Sequence, residues 1–307
     1  MSGAAIGSLA PVRIDLHTHS RVSDGTDSPA ELVAAAAASG LDVVALTDHD
    51  TTAGWAEAIA AGSELRVSVV PGIEISTDHH GSSVHLLGYL LDPTLPELGV
   101  ELDRILAGRS ARVPTVVARL QALGIDITAE DVYARSTDAA ATGRPHIADA
   151  LVAMGVVGHR DEAFDRYLGW GRPAYVERYA APLERMIELI GRAGGVSVIA
   201  HPWGRSDRRE PSAERLAALV ELGLGGIEVD HQNHDEDART ELRAIARDLD
   251  LVALGSSDYH GTGKTGHPLG VNTTAPSELR RLLERAAAAS AASGRETPSV
   301  TLPAVGS

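Results

Sequence analysis

The chain has 307 residues, 44% of them apolar, with a single Phe at Phe164, so its core is aliphatic. It contains no Cys, which excludes disulfides and thiolate metal sites and leaves His, Asp and Glu to bind any metal. A formal net charge of −15 argues against duplex DNA as a partner, because wrapping it takes basic surface that displaces counterions. No apolar run reaches membrane-spanning length and no signal-peptide pattern opens the chain, so a soluble, cytoplasmic protein without a membrane partner is expected.

Residues 1–10 read as a loose terminus. A strand is predicted over 12–16. Ser28-Pro29-Ala30-Glu31 is a capping box with Pro at the first helical position, and the helix it opens runs to Ala38 and stops at Gly40. A strand over 42–46, a helix over 52–61 and strands over 67–75 and 84–90 follow. From 99 to 174 the rhythm breaks. A long helical pattern covers 102–123 with a break expected at Pro114, and shorter ones cover 128–135, 144–154 and 161–168. Helix 183–193 then precedes strand 196–200, helix 213–222 precedes strand 226–229, and helix 236–249 precedes strand 251–255. Strands alternating with helices predict an α/β fold with a mainly parallel sheet, and the strand count suits a barrel. The expected organisation is a discontinuous barrel of residues 11–98 and 175–290, a helical insertion, or lid, of 99–174, and a disordered Ala/Ser/Gly/Pro/Thr-rich tail of 291–307.

In a strand, residues two apart share a face. Arg13, Asp15, His17 and His19 therefore point one way, and Ile14 and Leu16 the other. An H-x-H pair at the C-terminal end of a parallel strand stands where barrel enzymes do their chemistry, although alone it is weak evidence. The other strands add Asp48-His49-Asp50, Glu74, His85, His201 and Ser257-Asp258-Tyr259-His260. Each of these reads singly as solvated loop polarity; a barrel gathers them all.

The stretches "DLHTHSRVSDG", "ALTDHDT", "PGIEIS", "HLLGY", "AHP" and "GSSDYHG" resemble, in that order, the motifs of the PHP (polymerase and histidinol phosphatase) superfamily of metal-dependent phosphoesterases, over roughly residues 12–275. "GRPHIADALV" and "AFDRYLGWGRPAYV" in the insertion resemble the branch of nucleoside 3′,5′-bisphosphate phosphatases and RNase AM-like enzymes. The resemblance implies a distorted seven-stranded β/α barrel holding two or three divalent ions. His17 and His19 would hold the first with Glu74 and Asp258. Glu74 would bridge to a second, also held by His85 and His201, and Asp24, His49 and His260 would hold a third. The catalytic group would comprise His17, His19, Glu74, Asp258 and His260. This donor mix suits Mn²⁺, Fe²⁺ or Zn²⁺ better than Mg²⁺.

The implied activity is hydrolysis of phosphate monoesters of small nucleotides, namely nucleoside 3′,5′-bisphosphates, with trimming of short RNA from its 5′ end. Histidinol-phosphate phosphatase and a non-catalytic metal-binding module are the alternatives. Arg144 in "GRPH" is the leading phosphate clamp, since guanidinium matches phosphate bidentately; the other reading is a surface Arg starting a helix. Arg172 and Lys264 are further candidates. His234 either faces substrate or starts a helix. Asp15 is expected behind the ligands, and Asp48 and Asp50 either orient ligands or cap a helix.

Overall fold

The computed structural model describes residues 12–204 and 210–302, so the terminus expected at 1–10 lies outside the described residues. Strands β1 (Ile14–Asp15), β2 (Val43–Leu46) and β3 (Ser68–His79) run parallel, with Ile14 opposite Val43 and Leu46 opposite Pro71. Helix α1 (Pro29–Ala38) starts as its capping box predicts: the Ser28 hydroxyl accepts from the Glu31 N–H while the Glu31 carboxylate accepts from the Ser28 N–H. Its Leu32, Val33 and Ala36 are buried in the layer between helices and sheet, beside Ala58 of α2 (Trp55–Leu65).

Strand β4 (Ser82–Tyr89) folds back on β3 as a hairpin and lies antiparallel to both of its neighbours, β3 and β6 (Val196–Ala200). Strands β6, β7 (Leu224–Asp230) and β8 (Val252–Gly255) are again parallel, and the two-residue β5 (Ala181–Pro182) adds to β3. The sheet order is β1-β2-β3-β4-β6-β7-β8. It is nearly closed: the His19 N–H donates to the Tyr259 carbonyl at 2.8 Å, and the Thr274 N–H to the Ile14 carbonyl at 2.9 Å. The result is an α/β barrel distorted by one reversed strand. Because β4 runs backwards, its early residues lie at the rim where the parallel strands end. His85 pairs there with Ala200, the residue before His201.

Helices α8 (Leu183–Arg192), α9 (Ala213–Glu221) and α10 (Glu236–Asp248) cover the second half. Helix α11 (Pro276–Ser293), for which no expectation was drawn from sequence, sets Leu279, Leu282 and Ala286 against Ile14, Leu16, Val43 and Leu254. The disorder expected from residue 291 is not found where the chain is described. Arg295 pairs with Asp92 at 2.5 Å, the Ser68 hydroxyl donates to the Thr301 carbonyl at 2.5 Å, and Val300 packs against the strands.

The helical region comprises α3 (Pro96–Ala111), α4 (Val113–Ala122), α5 (Ala129–Tyr133), α6 (Arg144–Ala153), α7 (Arg160–Ala163) and a π-helical turn, Phe164–Leu168. The break expected at Pro114 falls at Arg112; Pro114 sits in the first turn of α4, where a missing N–H costs nothing. Leu98, Leu102 and Ile105 of α3 pack in the barrel's outer core, whereas Val113, Leu120, Ile147 and Leu168 belong to a separate apolar cluster. That second body is tied to the rim. Arg160 grips Asp149 with two nitrogens at 2.6 Å each and donates its third to the Asp24 carbonyl at 2.7 Å.

Candidate metal centre

The rim of the barrel gathers the imidazoles and carboxylates that the sequence spreads over six strand ends. Four donor atoms converge first. His17 Nε2 stands 3.0 Å from His19 Nε2, 3.3 Å from Glu74 Oε2 and 3.6 Å from Asp258 Oδ1. His19 Nε2 stands 3.2 Å from Glu74 Oε2 and 3.5 Å from Asp258 Oδ1. A tetrahedral site with bonds of about 2.1 Å has edges of about 3.4 Å, so these spacings fit one divalent ion.

The second oxygen of Glu74 faces a different pair, His85 Nδ1 at 2.6 Å and His201 Nε2 at 3.2 Å. Glu74 thus presents each oxygen to a separate set of imidazoles, as a bridging carboxylate does. Asp24 collects the third set: His260 Nε2 lies 3.3 Å from its Oδ1 and His49 Nε2 3.5 Å from its Oδ2. His19 Nδ1 is buried without a hydrogen-bond partner, 3.9 Å from Asp24 Oδ1 and so on the side of the third set, and His49 Nδ1 lies 3.0 Å from Glu74 Oε2.

The local chain is built to deliver these groups. A Cβ on Gly25 would stand 2.3 Å from the His19 carbonyl oxygen, so only glycine lets the loop fold Asp24 back toward His19. Asp48 holds that loop by accepting from the Ser20 N–H (2.8 Å), the Ser20 hydroxyl (2.7 Å) and the Ser23 hydroxyl (2.6 Å). Asp15 does the same for the Asp258 loop, accepting from the Ser257 and Gly270 N–H groups at 3.0 and 2.8 Å. Asp50 caps no helix; it accepts from the Ser76 N–H and from Arg109. His201 and Asp258 hold φ of 31° and 54°, a conformation non-glycine residues adopt mainly where the surroundings force it.

The carboxylates concentrate negative charge at the centre. Burial would raise the carboxyls of Asp24, Glu74 and Asp258, but the facing imidazoles, and Lys264 at Asp258, hold all three well below the usual carboxylate range. Burial likewise opposes a charge on His19, yet its carboxylate partners raise it to about 9.

A family model, the PHP domain, matches residues 15–196. The chain belongs to the PHP family. It is 37% identical to a 3′,5′-nucleoside bisphosphate phosphatase of Chromobacterium violaceum, over 84% of this chain and 90% of that one. It is 36% identical to a 5′-3′ exoribonuclease of Haemophilus influenzae, over 81% and 90%. A solved structure described as a metal-dependent phosphoesterase from Bifidobacterium adolescentis superposes with a TM-score of 0.85 at 37% identity, covering 90% of this chain and 97% of the other. The protein is therefore a PHP phosphoesterase, a hydrolase of ester bonds in a metal-dependent family. Among the described residues no helix is long and apolar enough to cross a membrane.

Around this PHP centre the substrate candidates divide. Lys264 reaches it, with Nζ paired to Asp258 Oδ2. Arg144 belongs to the insertion wall; it donates to the Leu168 carbonyl at 3.0 Å and lies 5.2 Å over the Tyr175 ring. Arg172 is exposed and makes no contact with the cluster among the described residues. His234 corrects its expectation as a substrate contact. Its Nδ1 donates to the Val229 carbonyl at 2.8 Å and its Nε2 accepts from the Trp203 N–H at 3.4 Å, so it pins a loop.

His231, three residues earlier, is the imidazole that faces the centre, with Nε2 3.4 Å from Asp258 Oδ2. Sequence reasoning also missed Glu228, which accepts from His17 Nδ1 at 3.0 Å and from the His201 N–H at 2.7 Å. The signal was present: a Glu inside the aliphatic alternation Ile227-Glu228-Val229.

Proposed function

We propose that this PHP protein is a cytoplasmic phosphatase of small nucleotides, with nucleoside 3′,5′-bisphosphates as preferred substrates, and that it shortens RNA one nucleotide at a time from a 5′-phosphorylated end. The observation that carries the reading is the insertion standing over the metal centre. Asp24 and His49 share the wall of the opening with Arg109, Gly143 and His146 of the insertion side, and Arg160 fixes the two bodies together. A metal centre flanked by a second body favours a small ligand or a chain end over the middle of a long strand. The formal charge of −15 adds repulsion of any long polyanion. The names of the two relatives point to the same substrates.

We assign three divalent ions, Mn²⁺ being the best fit and Fe²⁺ or Zn²⁺ the next. The first would be held by His17, His19, Glu74 and Asp258, the second by Glu74, His85 and His201, and the third by Asp24, His49 and His260. When bound, such ions supply Lewis acidity toward phosphoryl oxygens and a nucleophile drawn from water at neutral pH. The chain supplies orientation. Glu228 keeps the proton of His17 on Nδ1, and the Asp258 carbonyl keeps that of His260 on Nδ1 at 2.9 Å, so both Nε2 lone pairs face inward. The Asn233 N–H donates to His231 Nδ1 at 3.1 Å, so in the neutral ring Nε2 carries the proton and presents it beside Asp258 to a phosphoryl or leaving oxygen.

A phosphate-release panel with added Mn²⁺ tests the substrate. Adenosine 3′,5′-bisphosphate should be turned over far faster than histidinol phosphate. End-labelled RNA should shorten from its 5′ end beside an intact circular RNA of the same sequence. Cutting of the circle at a comparable rate would defeat the reading.

A further inference from the structure

The tip of the β3–β4 hairpin carries two histidines that the metal centre does not use, His79 and His80. Thr77 and Asp78 of β3 pair with Ala181 and Pro182 of β5, and the chain runs from there directly into α8. That register brings Glu184, two residues past Pro182, beside His79, whose Nδ1 donates to Glu184 Oε1 at 2.8 Å. His80 and Gly81 make the turn with φ of 52° and 82°, the left-handed pair that a two-residue hairpin loop takes. The Gly81 N–H donates to Asp78 Oδ1 at 3.0 Å and fixes it. The His80 ring centroid lies 4.4 Å from that of His79.

Strand parity separates this tip from the centre. Residues an even number apart along β3 share a face, so His79 lies on the face of Ile73 and Ile75, which pack in the outer core, and opposite Glu74. His79 therefore stands outside the barrel, on the α8 side of the sheet. It is only 7% exposed, and its Nε2 has no hydrogen-bond partner. A buried ring nitrogen without a partner costs free energy whether it holds a proton or a lone pair. One donor atom from each of His79, His80 and Glu184 lies within 4.8 Å of the other two. A tetrahedral ion with bonds of about 2.1 Å has edges of about 3.4 Å. Rotation of the exposed His80 side chain can close that difference.

We infer that His79, His80 and Glu184 form a peripheral site for one divalent transition ion, Zn²⁺ being the best fit. Two imidazoles and a carboxylate, with water completing the shell, suit Zn²⁺, and the same donors hold Mn²⁺ more weakly. Glu184 belongs to the first turn of α8, so an ion bound here pins the hairpin tip to that helix. The same hairpin sets Glu74 and His85 at the centre, so the pin braces the scaffold of the ligands without touching them. Nothing in this site depends on which substrate the centre takes.

The test uses Zn²⁺ alone as the probe and three full-length proteins: wild type, His80→Asn and Glu184→Gln. Asparagine accepts the left-handed φ of His80, and glutamine keeps an acceptor for His79, so both variants retain the local fold. After dialysis against one shared micromolar concentration of free Zn²⁺, elemental analysis should find about one zinc ion per chain fewer in each variant than in wild type. Saturating Zn²⁺ should raise the Tm of chelated wild type further than that of either variant, because an ion held only by the folded chain stabilises it. Phosphate release from p-nitrophenyl phosphate with Mn²⁺ should be equal in all three. Equal zinc content in wild type and both variants would overturn the site. One ion fewer with the same gain in Tm would overturn the pin. Loss of Mn²⁺-supported turnover in both variants would place these residues in service of the centre and overturn a separate site.

Discussion

Oε1 of Glu228 lies 3.0 Å from Nδ1 of His17, and this pairing decides which nitrogen of His17 faces the metal centre. A carboxylate at neutral pH only accepts, so Nδ1 is the donor and the Nε2 lone pair turns toward Glu74 and Asp258. Ser256 and the His201 N–H hold the carboxylate in place. Glu228→Gln weakens the acceptor and permits the wrong tautomer. Metal affinity or activity should fall about 10–100-fold. Competition against a chelator of known affinity measures it, and an unchanged affinity would mean that His17 is oriented without Glu228.

Metal removal should abolish activity. Exhaustive chelation followed by readdition of single divalent ions should restore phosphate release, best with Mn²⁺. Full turnover in a sample verified metal-free by elemental analysis would falsify the mechanism.

His231 offers a proton-bearing Nε2 beside Asp258, with its tautomer set by the Asn233 N–H. If it meets a phosphoryl or leaving oxygen, His231→Ala removes a hydrogen bond to a charged group, and kcat should drop about 10–100-fold with metal content intact. A change confined to metal content would make His231 a support for Asp258 alone.

Asp50 and Arg109 form a buried pair at 2.6 Å. Burial pushes the Asp50 carboxyl up, but Arg109, Arg178 and His49 outweigh it and hold it below the usual carboxylate value. A depressed carboxyl contributes stability above its unfolded value of about 3.9 and loses that contribution as the pH falls through the folded value. Breaking a buried pair by removing one partner costs about 3–5 kcal/mol. Asp50→Asn should therefore melt well below wild type near pH 7, with the gap closing at pH below about 4. Melting curves across that range check it; a gap independent of pH would assign the effect to the Ser76 hydrogen bonds.

Much of the centre was legible because strand periodicity and strand ends are local properties. His17, His19, His49, Glu74, His201 and Asp258 each follow an aliphatic run, and a barrel brings such positions to one rim. His85 was legible as a residue, while its place at the start of a reversed strand emerges only from the pairing of β4 between β3 and β6. Glu228 lies within β7, where attention to strand ends passes over it. Arg109 sits in α3 and Arg112 at the break between α3 and α4. Their burial arises from packing between two bodies, which no local window contains. Helix α11 went unread because its Ala- and Ser-rich run carries little periodicity of its own, and its stripe of Leu279, Leu282 and Ala286 finds apolar partners far away in the chain.

The closure of the barrel has a kinetic consequence. The Ser257 N–H bonds Asp15 across 242 residues, and Tyr259 meets His19 at the same seam. The first ligands synthesised, His17 and His19, thus wait for nearly the last, Asp258, before the four-donor set exists. Contacts of such long sequence separation form late, after loop-closure entropy has been overcome. Ion uptake should accordingly report the final step of folding rather than seed it. In a refolding experiment, metal-dependent signal should lag behind the helical signal, and a chain cut before Asp258 should form helices while holding no ion at its first site.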